Sequence, residues 1–200
     1  CTLSNIIPSL ILDSMYIKLR KKMAKSVSES NDTYKLDRGS KLTNKHLLSY
    51  LNTKNESPKF IFMNYIEAHE GYPVEDAIIQ DKWLHLSGIK PLEENEFGKL
   101  HSAYKERINY LDLRVGDALK ILKNTGTLDD ALVILTSDHG QSFGDHGTMY
   151  HSEIPYNSIA KVPLISVRYI SGKVVRERST IDHPASLTRL HQTTYNIASQ

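Results

Sequence analysis

Residues Ala131–Pro163, ALVILTSDHGQSFGDHGTMYHSEIPYNSIAKVP, decide the fold that we predict for this chain. The stretch opens with five apolar residues rich in β-branched side chains, which is typical of a strand buried on both faces of a parallel sheet. Such strands belong to α/β folds, which place ligands at the carboxyl ends of their strands. Asp138 and His139 stand at that end, and Gly140 allows the chain to turn away. A carboxylate and an imidazole can converge on one ion only where the strand breaks, and the alternative is a polar turn without a ligand.

An amphipathic helix is predicted before this strand. Apolar residues recur at intervals of three and four from Leu100 to Leu122, and Gly126 lies where such a helix ends. After the strand, Lys161–Val167 is predicted as a second strand and Lys173–Ile181 as an edge or hairpin strand.

Three short segments together resemble a known family. TSDHG (136–140), GDHG (144–147) and KVPLI (161–165) stand in the order and spacing of a metal motif in the sulfatase and phosphonate monoester hydrolase branch of the alkaline phosphatase superfamily. The resemblance covers approximately Lys59–Ala198. It implies an alkaline-phosphatase-like α/β fold, with a mostly parallel sheet flanked by helices and an incomplete domain. We therefore expect residues 41–200 to be the C-terminal part of a sulfatase-like domain, and residues 1–40 to be an N-terminal helix and polar linker.

The same resemblance implies the residues of an active site. Asp138 and His139 correspond to metal ligands, with a hydrogen bond to the ester oxygen as the alternative role of His139. The cation expected first is calcium, with magnesium, manganese and zinc as alternatives. Phe60–Tyr65 corresponds to a strand that leads to His69, at the position that reaches the sulfuryl or phosphoryl group. His151 stands where the family often has lysine, so His69 and His151 are the predicted catalytic donors. For His69 the alternative is a polar loop residue without a catalytic role.

The nucleophile of the family is not found in this sequence. Sulfatases carry a Cys/Ser-x-Pro/Ala-x-Arg signature, whereas Cys1 begins CTLSN and no serine is followed by the required pattern. We therefore expect this chain to be the C-terminal portion of an enzyme. Its expected protein partner is the missing N-terminal half of the same enzyme. The predicted function is metal-dependent hydrolysis of small-molecule sulfate esters. The alternatives are a phosphodiesterase or phosphonate monoester hydrolase of the same superfamily, and a catalytically inactive binding module.

Composition excludes some other functions. The net charge of +2 gives no basis for general nucleic-acid binding. The apolar run Leu3–Ile17 is broken by Pro8 and Asp13 and is too short to span a membrane. A single cysteine, Cys1, excludes an intrachain disulfide and indicates a cytoplasmic location, although a signal peptide could be missing from the chain.

Overall fold

The structure is a computed structural model that describes residues 36–53, 57–72, 93–151, 154–175 and 179–198. The predicted N-terminal helix and most of the predicted linker lie outside these ranges, and the domain boundary at residue 40 stays a prediction. The helices and strands run in the order α1 (Ser40–Leu51), α2 (Glu94–Asn124), β1 (Asp130–Thr136), β2 (Ser142–Phe143), β3 (Met149–Tyr150), α3 (Asn157–Ala160), β4 (Leu164–Ile170), β5 (Lys173–Val174) and α4 (Leu190–Ala198). Within these ranges, no helix combines the length and apolarity needed to cross a membrane.

The predicted amphipathic helix is confirmed as α2, which is longer than its apolar pattern. It begins with a capping box, in which Glu93 and Glu96 each bond the other's backbone N–H. It ends before Gly126, whose φ of 73° is the left-handed conformation that closes a helix and that glycine adopts without strain. The helix therefore begins and ends at signals that are local in the sequence.

The described sheet is antiparallel, so the prediction of a mostly parallel sheet is wrong for these strands. Strand β1 pairs with β4 from Asp130 opposite Ile170 to Thr136 opposite Leu164, and β4 pairs with β5. The connection from β1 to β4 leaves and returns at one end of the sheet, whereas a parallel pair needs a crossover along its length. Strands β4 and β5 are joined by the two residues 171–172, both with positive φ, and such a turn connects only antiparallel strands.

Phe60–Tyr65 was predicted as a strand of this sheet, and in the described structure it is not one. Side-chain burial alternates along the segment, but it pairs with none of the described strands. Phe60 and Phe62 are 82% and 80% exposed. The period-two pattern specifies an extended segment, but a strand also needs the backbone hydrogen bonds of a neighbour. The expectation that β1 is buried on both faces also fails here, since its residues 131–135 are half-buried.

One apolar cluster packs α2 against two parts of the chain. The first is the loop after Phe60–Tyr65, and the second is strands β2 and β3. The buried members of the cluster are Tyr72, Leu100, Ala103, Met149 and Tyr150, and Phe97, Tyr104 and Phe143 pack against them. The ring centroids of Tyr104 and Phe143 are 5.0 Å apart, and those of Tyr72 and Tyr104 are 6.0 Å apart. Because Tyr72 follows the loop of His69 and Tyr150 precedes His151, this cluster supports both candidate catalytic histidines.

Candidate active site

The loop that carries His69 is held by one guanidinium group. Nη1 of Arg38 donates hydrogen bonds to the carbonyls of Ile66, His69 and Glu70, at 3.3, 2.9 and 2.8 Å. The backbone N–H of Arg38 in turn donates to the buried carboxylate of Glu67 at 2.9 Å. Hydrogen bonds to charged groups are the strong ones in proteins. The loop is therefore held by both the side chain and the backbone of Arg38, two residues before the start of α1.

Asp138 and His139 follow directly after the end of β1. The backbone N–H of His139 donates to Oδ1 of Asp138 at 3.0 Å, and the Ser137 hydroxyl donates to the His139 carbonyl at 2.7 Å. The Asp138 side chain is 88% exposed, whereas that of His139 is 36% exposed. These local hydrogen bonds break the strand at the point where the sequence predicts it.

Gly140 allows the backbone of α3 to approach the Asp138–His139 turn. Its N–H donates to the carbonyl of Ile159 at 2.6 Å. A Cβ at this position would lie 2.1 Å from the Ser158 carbonyl oxygen. Only glycine fits here without a backbone shift. The turn glycine predicted from the sequence is therefore required by the close approach of α3.

His151 comes after β3, and the residue before it has an unusual backbone conformation. Tyr150 is buried and has a φ of 61°, which is costly for a residue with a side chain. The packing of Tyr150 in the apolar cluster holds this conformation, and the chain then turns His151 outward. The position of His151 is thus set by packing against α2 and not by a regular element.

The side chains of His69, His139 and His151 lie close together. The ring centroids of His139 and His151 are 4.7 Å apart, and those of His69 and His151 are 5.8 Å apart. The Glu70 carboxylate joins the rings: its Oε1 lies 3.3 Å from Nε2 of His151, and its Oε2 lies 3.4 Å from Nδ1 of His69. The site thus consists of the Glu70 carboxylate between His69 and His151, with His139 and Asp138 beside His151 at the end of β1.

The charge of Glu70 is set by opposing effects. Burial acts to raise the pKa of Glu70, but a backbone hydrogen bond, the nearby imidazoles of His69 and His151 and the amide of Gln141 together hold that pKa below its ordinary value. Nε2 of Gln141 lies 3.5 Å from Oε2 of Glu70 and 3.3 Å from the Tyr72 hydroxyl. The carboxylate is therefore ionised at neutral pH.

The residues at the end of β1 fit a divalent cation. Nδ1 of His139 lies 2.8 Å from the carbonyl of Gly140, and a carbonyl can only accept, so Nδ1 carries the proton. Nε2 is then left with a lone pair, and it lies 3.9 Å from Oδ1 of Asp138. A backbone carbonyl that fixes the tautomer is the usual support of a metal-binding histidine. Two donors 3.9 Å apart can bind one ion with bonds of about 2.0–2.4 Å.

The sequence analysis therefore named four residues that the structure brings to one place: His69, Asp138, His139 and His151. It missed Glu70 and Gln141. Glu70 had one signal, its position next to His69, whereas Gln141 had none, because its contact with Glu70 joins residues far apart in the sequence. His146, the middle histidine of the motif, lies apart and stacks on Tyr156 at 4.2 Å between ring centroids.

Comparison with known proteins places the chain in a family. The family model described as Sulfatase matches residues 20–188. The chain is 36% identical over 75 residues to the multifunctional alkaline phosphatase superfamily protein PehA of Trinickia caryophylli, covering 37% of this chain and 14% of the relative. It is 35% identical over 72 residues to a choline-sulfatase of Rhizobium meliloti, covering 36% and 14%. It is also 36% identical over 116 residues to an arylsulfatase of Clostridium perfringens, covering 54% and 24%.

These relatives are much longer than the matched region. The chain spans about one seventh to one quarter of the curated relatives it matches. No solved structure matches the chain. The match to the Sulfatase model confirms the predicted alkaline-phosphatase-like α/β fold class, although the described strands are antiparallel.

Proposed function

This chain belongs to the sulfatase family, and we propose that the protein to which it contributes is a metal-dependent hydrolase of sulfate esters. Family membership supports hydrolysis of sulfate esters in general. One observation carries the finer proposal: the rings of His139, from the predicted metal pair, and His151, a predicted catalytic residue, lie 4.7 Å apart. A group bound by one residue would be within reach of the other.

We assign the cation to Asp138 and His139. Proteins of this family generally bind a divalent metal, and the donor set of one carboxylate and one correctly protonated imidazole fits one. When bound, the cation supplies positive charge that stabilises a developing oxyanion. Calcium is the first candidate, with magnesium, manganese and zinc as alternatives. Asp138 is largely exposed, so we infer that further ligands come from outside the described residues.

His69 and His151 are assigned as hydrogen-bond donors to the ester. Both side chains are about half exposed, so a substrate can reach them, at 46% and 44%. A donor aimed at an oxygen that gains charge in the transition state lowers the barrier more than the same donor exposed to water. Glu70 contacts both rings and orients them, so we class it as a positioning residue.

The charge of the site favours a singly charged substrate group. The described side chains that meet there are three imidazoles and two carboxylates, of which Asp138 is assigned to the cation and Glu70 is ionised beside the histidines. A sulfate monoester carries one negative charge and a phosphate monoester carries two. A carboxylate in the site therefore repels the doubly charged phosphate monoester more strongly. Phosphodiesters and phosphonate monoesters also carry a single charge, which keeps a phosphodiesterase or phosphonate monoester hydrolase as the second candidate.

Turnover assays on the intact parent protein and on the 200-residue chain test the proposal. The substrates are an aryl sulfate, a phosphodiester and a phosphonate monoester, each with added calcium or magnesium. We propose that the nucleophile lies in the rest of the parent, so only the parent should hydrolyse the aryl sulfate, and faster than the phosphorus esters. Hydrolysis by the isolated chain that is abolished in Asp138→Ala would place the nucleophile within these residues. A folded parent inactive on all three substrates would contradict the proposal and favour a binding module.

A further inference from the structure

A second cluster of possible metal donors lies beside the Asp138–His139 pair. His69, Glu70 and His151 each offer one donor atom, and these three atoms lie within 4.8 Å of one another. We propose that His69, Glu70 and His151 form a binding site for a zinc-type divalent cation, distinct from the pair at the end of β1. This proposal does not rest on sulfate hydrolysis, because it concerns affinity for the ion alone.

The distances suit a small cation after a modest adjustment. Zinc binds imidazole nitrogen and carboxylate oxygen at about 2.0–2.2 Å in tetrahedral geometry, so two donors on one ion lie about 3.3–3.6 Å apart. The contacts of Glu70 with His151 and with His69, at 3.3 and 3.4 Å, already match that spacing. The widest separation within the cluster is 4.8 Å or less, so the most distant donors must approach by at most about 1.2–1.5 Å. Two of the three side chains are half exposed and free of core packing, so this closure requires no movement of the core.

The donor atoms of this cluster favour zinc over calcium. Two imidazoles and one glutamate are the three protein ligands of a common type of open zinc site, in which water or another molecule takes the fourth position. Calcium instead needs six to eight oxygen ligands, which one carboxylate cannot supply. The cluster therefore selects zinc, cobalt or another borderline metal over calcium and magnesium.

The surroundings support such a site. Glu70 is ionised and 19% exposed, and it receives the amide of Gln141 at 3.5 Å, which is the type of outer partner that orients a ligating carboxylate. Arg38 holds the His69 and Glu70 carbonyls at 2.9 and 2.8 Å, so the loop that supplies two of the three donors is organised before an ion arrives. A preorganised donor set costs less to order on binding.

Zinc and an ester would compete for these residues. An imidazole nitrogen that binds a cation has no proton to donate to an ester oxygen through the same atom. Zinc bound here would therefore occupy one nitrogen each of His69 and His151. This consequence, unlike the site itself, rests on the proposed function: zinc at the cluster would be an antagonist of ester binding, whereas calcium at Asp138 and His139 would remain compatible with it.

Calorimetric titration of the metal-free 200-residue chain with Zn²⁺ tests this inference, with Co²⁺ absorption as a second measure of imidazole and carboxylate ligation. Loss of an outer partner of a metal ligand typically weakens binding by about 10–100-fold, so loss of a ligand should cost at least as much. We expect Glu70→Gln and His151→Ala each to weaken Zn²⁺ binding by tenfold or more. Asp138→Ala and the exposed helix control His46→Ala should leave this affinity within about threefold.

Three results would overturn the inference. One is Zn²⁺ affinity that is unchanged in both Glu70→Gln and His151→Ala, which would assign binding to scattered surface histidines. Another is an equal loss in Asp138→Ala, which would mean a single shared site. The third is Ca²⁺ binding as tightly as Zn²⁺ at these residues. Circular dichroism checks that each variant is folded. His151 is half exposed, so His151→Ala should keep the fold, and it tests the inference even if Glu70→Gln unfolds.

Discussion

The ring centroids of His139 and His151 lie 4.7 Å apart, although the two residues are twelve positions apart in the sequence. His139 is placed by the end of β1, and His151 by the packing of Tyr150 against α2. A site at this point therefore depends on two separate supports, the sheet and the apolar cluster. Each support can be weakened by a substitution that leaves the site residues themselves unchanged.

Gly140→Ala tests the support from the sheet. The new Cβ would meet the Ser158 carbonyl oxygen at 2.1 Å, so the backbone of α3 must move. We expect the free energy of unfolding to fall by about 2 kcal/mol or more, measured by urea denaturation. The control is Gly116→Ala within α2, where a Cβ meets nothing within 4 Å. That variant should gain about 0.5–1 kcal/mol, because alanine favours a helix over glycine. An equal effect of the two variants would contradict the close approach at Gly140.

Arg38→Lys tests the support of the His69 loop. Lysine keeps the charge, but its ammonium nitrogen lies one bond closer to the backbone than Nη1 and is not held in a planar guanidinium, so it cannot occupy the position from which Nη1 reaches the three carbonyls. Loss of these hydrogen bonds should lower the free energy of unfolding by about 1–3 kcal/mol. Arg189→Lys, at an exposed position, should change it by less than about 0.5 kcal/mol. If Arg38→Lys were as stable as this control, the loop would not depend on the guanidinium.

Glu70→Gln should change how stability depends on pH. The pKa of Glu70 in the folded protein lies below its ordinary value, so the ionised group stabilises the fold fully above the ordinary glutamate value of about 4.3. That contribution is lost as the pH falls from there through the lowered pKa. The contacts are partly exposed, so its size should be about 1 kcal/mol or less. Melting temperatures of the wild type and Glu70→Gln should therefore converge as the pH falls from about 4.3 through the lowered pKa, whereas a constant difference at every pH would contradict the ion pairs.

His151→Lys in the parent protein tests the proposed role of His151. Lysine keeps a positive hydrogen-bond donor, and it is the residue that the family often has at this position. We expect His151→Ala to lower aryl sulfate turnover by about a hundred- to a thousandfold and His151→Lys to recover much of that loss. The matched control His183→Ala, at an exposed position outside the site, should retain full turnover. Equal activity of His151→Ala and the control would remove His151 from the catalytic residues.

Features that depend on local sequence were predicted well. The apolar period of α2, the glycine after it and the strand β1 with its polar end are all encoded within a few residues. His69 lies 5.8 Å from His151 between ring centroids, even though Phe60–Tyr65 does not join the described sheet. The approach of His69 is explained by Arg38 and by Tyr72 in the apolar cluster, and not by shared strand edges.

Features that depend on contacts between distant segments were missed. The direction of β4 follows from where the chain from β1 returns, and a strand pattern does not encode direction. Gln141 acts through Glu70, a residue 71 positions away in the sequence. The left-handed conformation of Tyr150 arises from burial against α2, since tyrosine has no local preference for it.

The most direct test of the proposed function is aryl sulfate turnover by the intact parent carrying Asp138→Ala, beside Asp182→Ala as a control at an exposed aspartate. Asp138 is assigned to the cation, and loss of a ligand affects every step that the cation assists. We predict a fall in kcat/KM larger than the hundred- to thousandfold, about 3–4 kcal/mol, that loss of one hydrogen-bond donor typically costs, with the control unchanged. Turnover by Asp138→Ala that equals the control would contradict the assignment of the end of β1 as the metal site of a sulfate ester hydrolase.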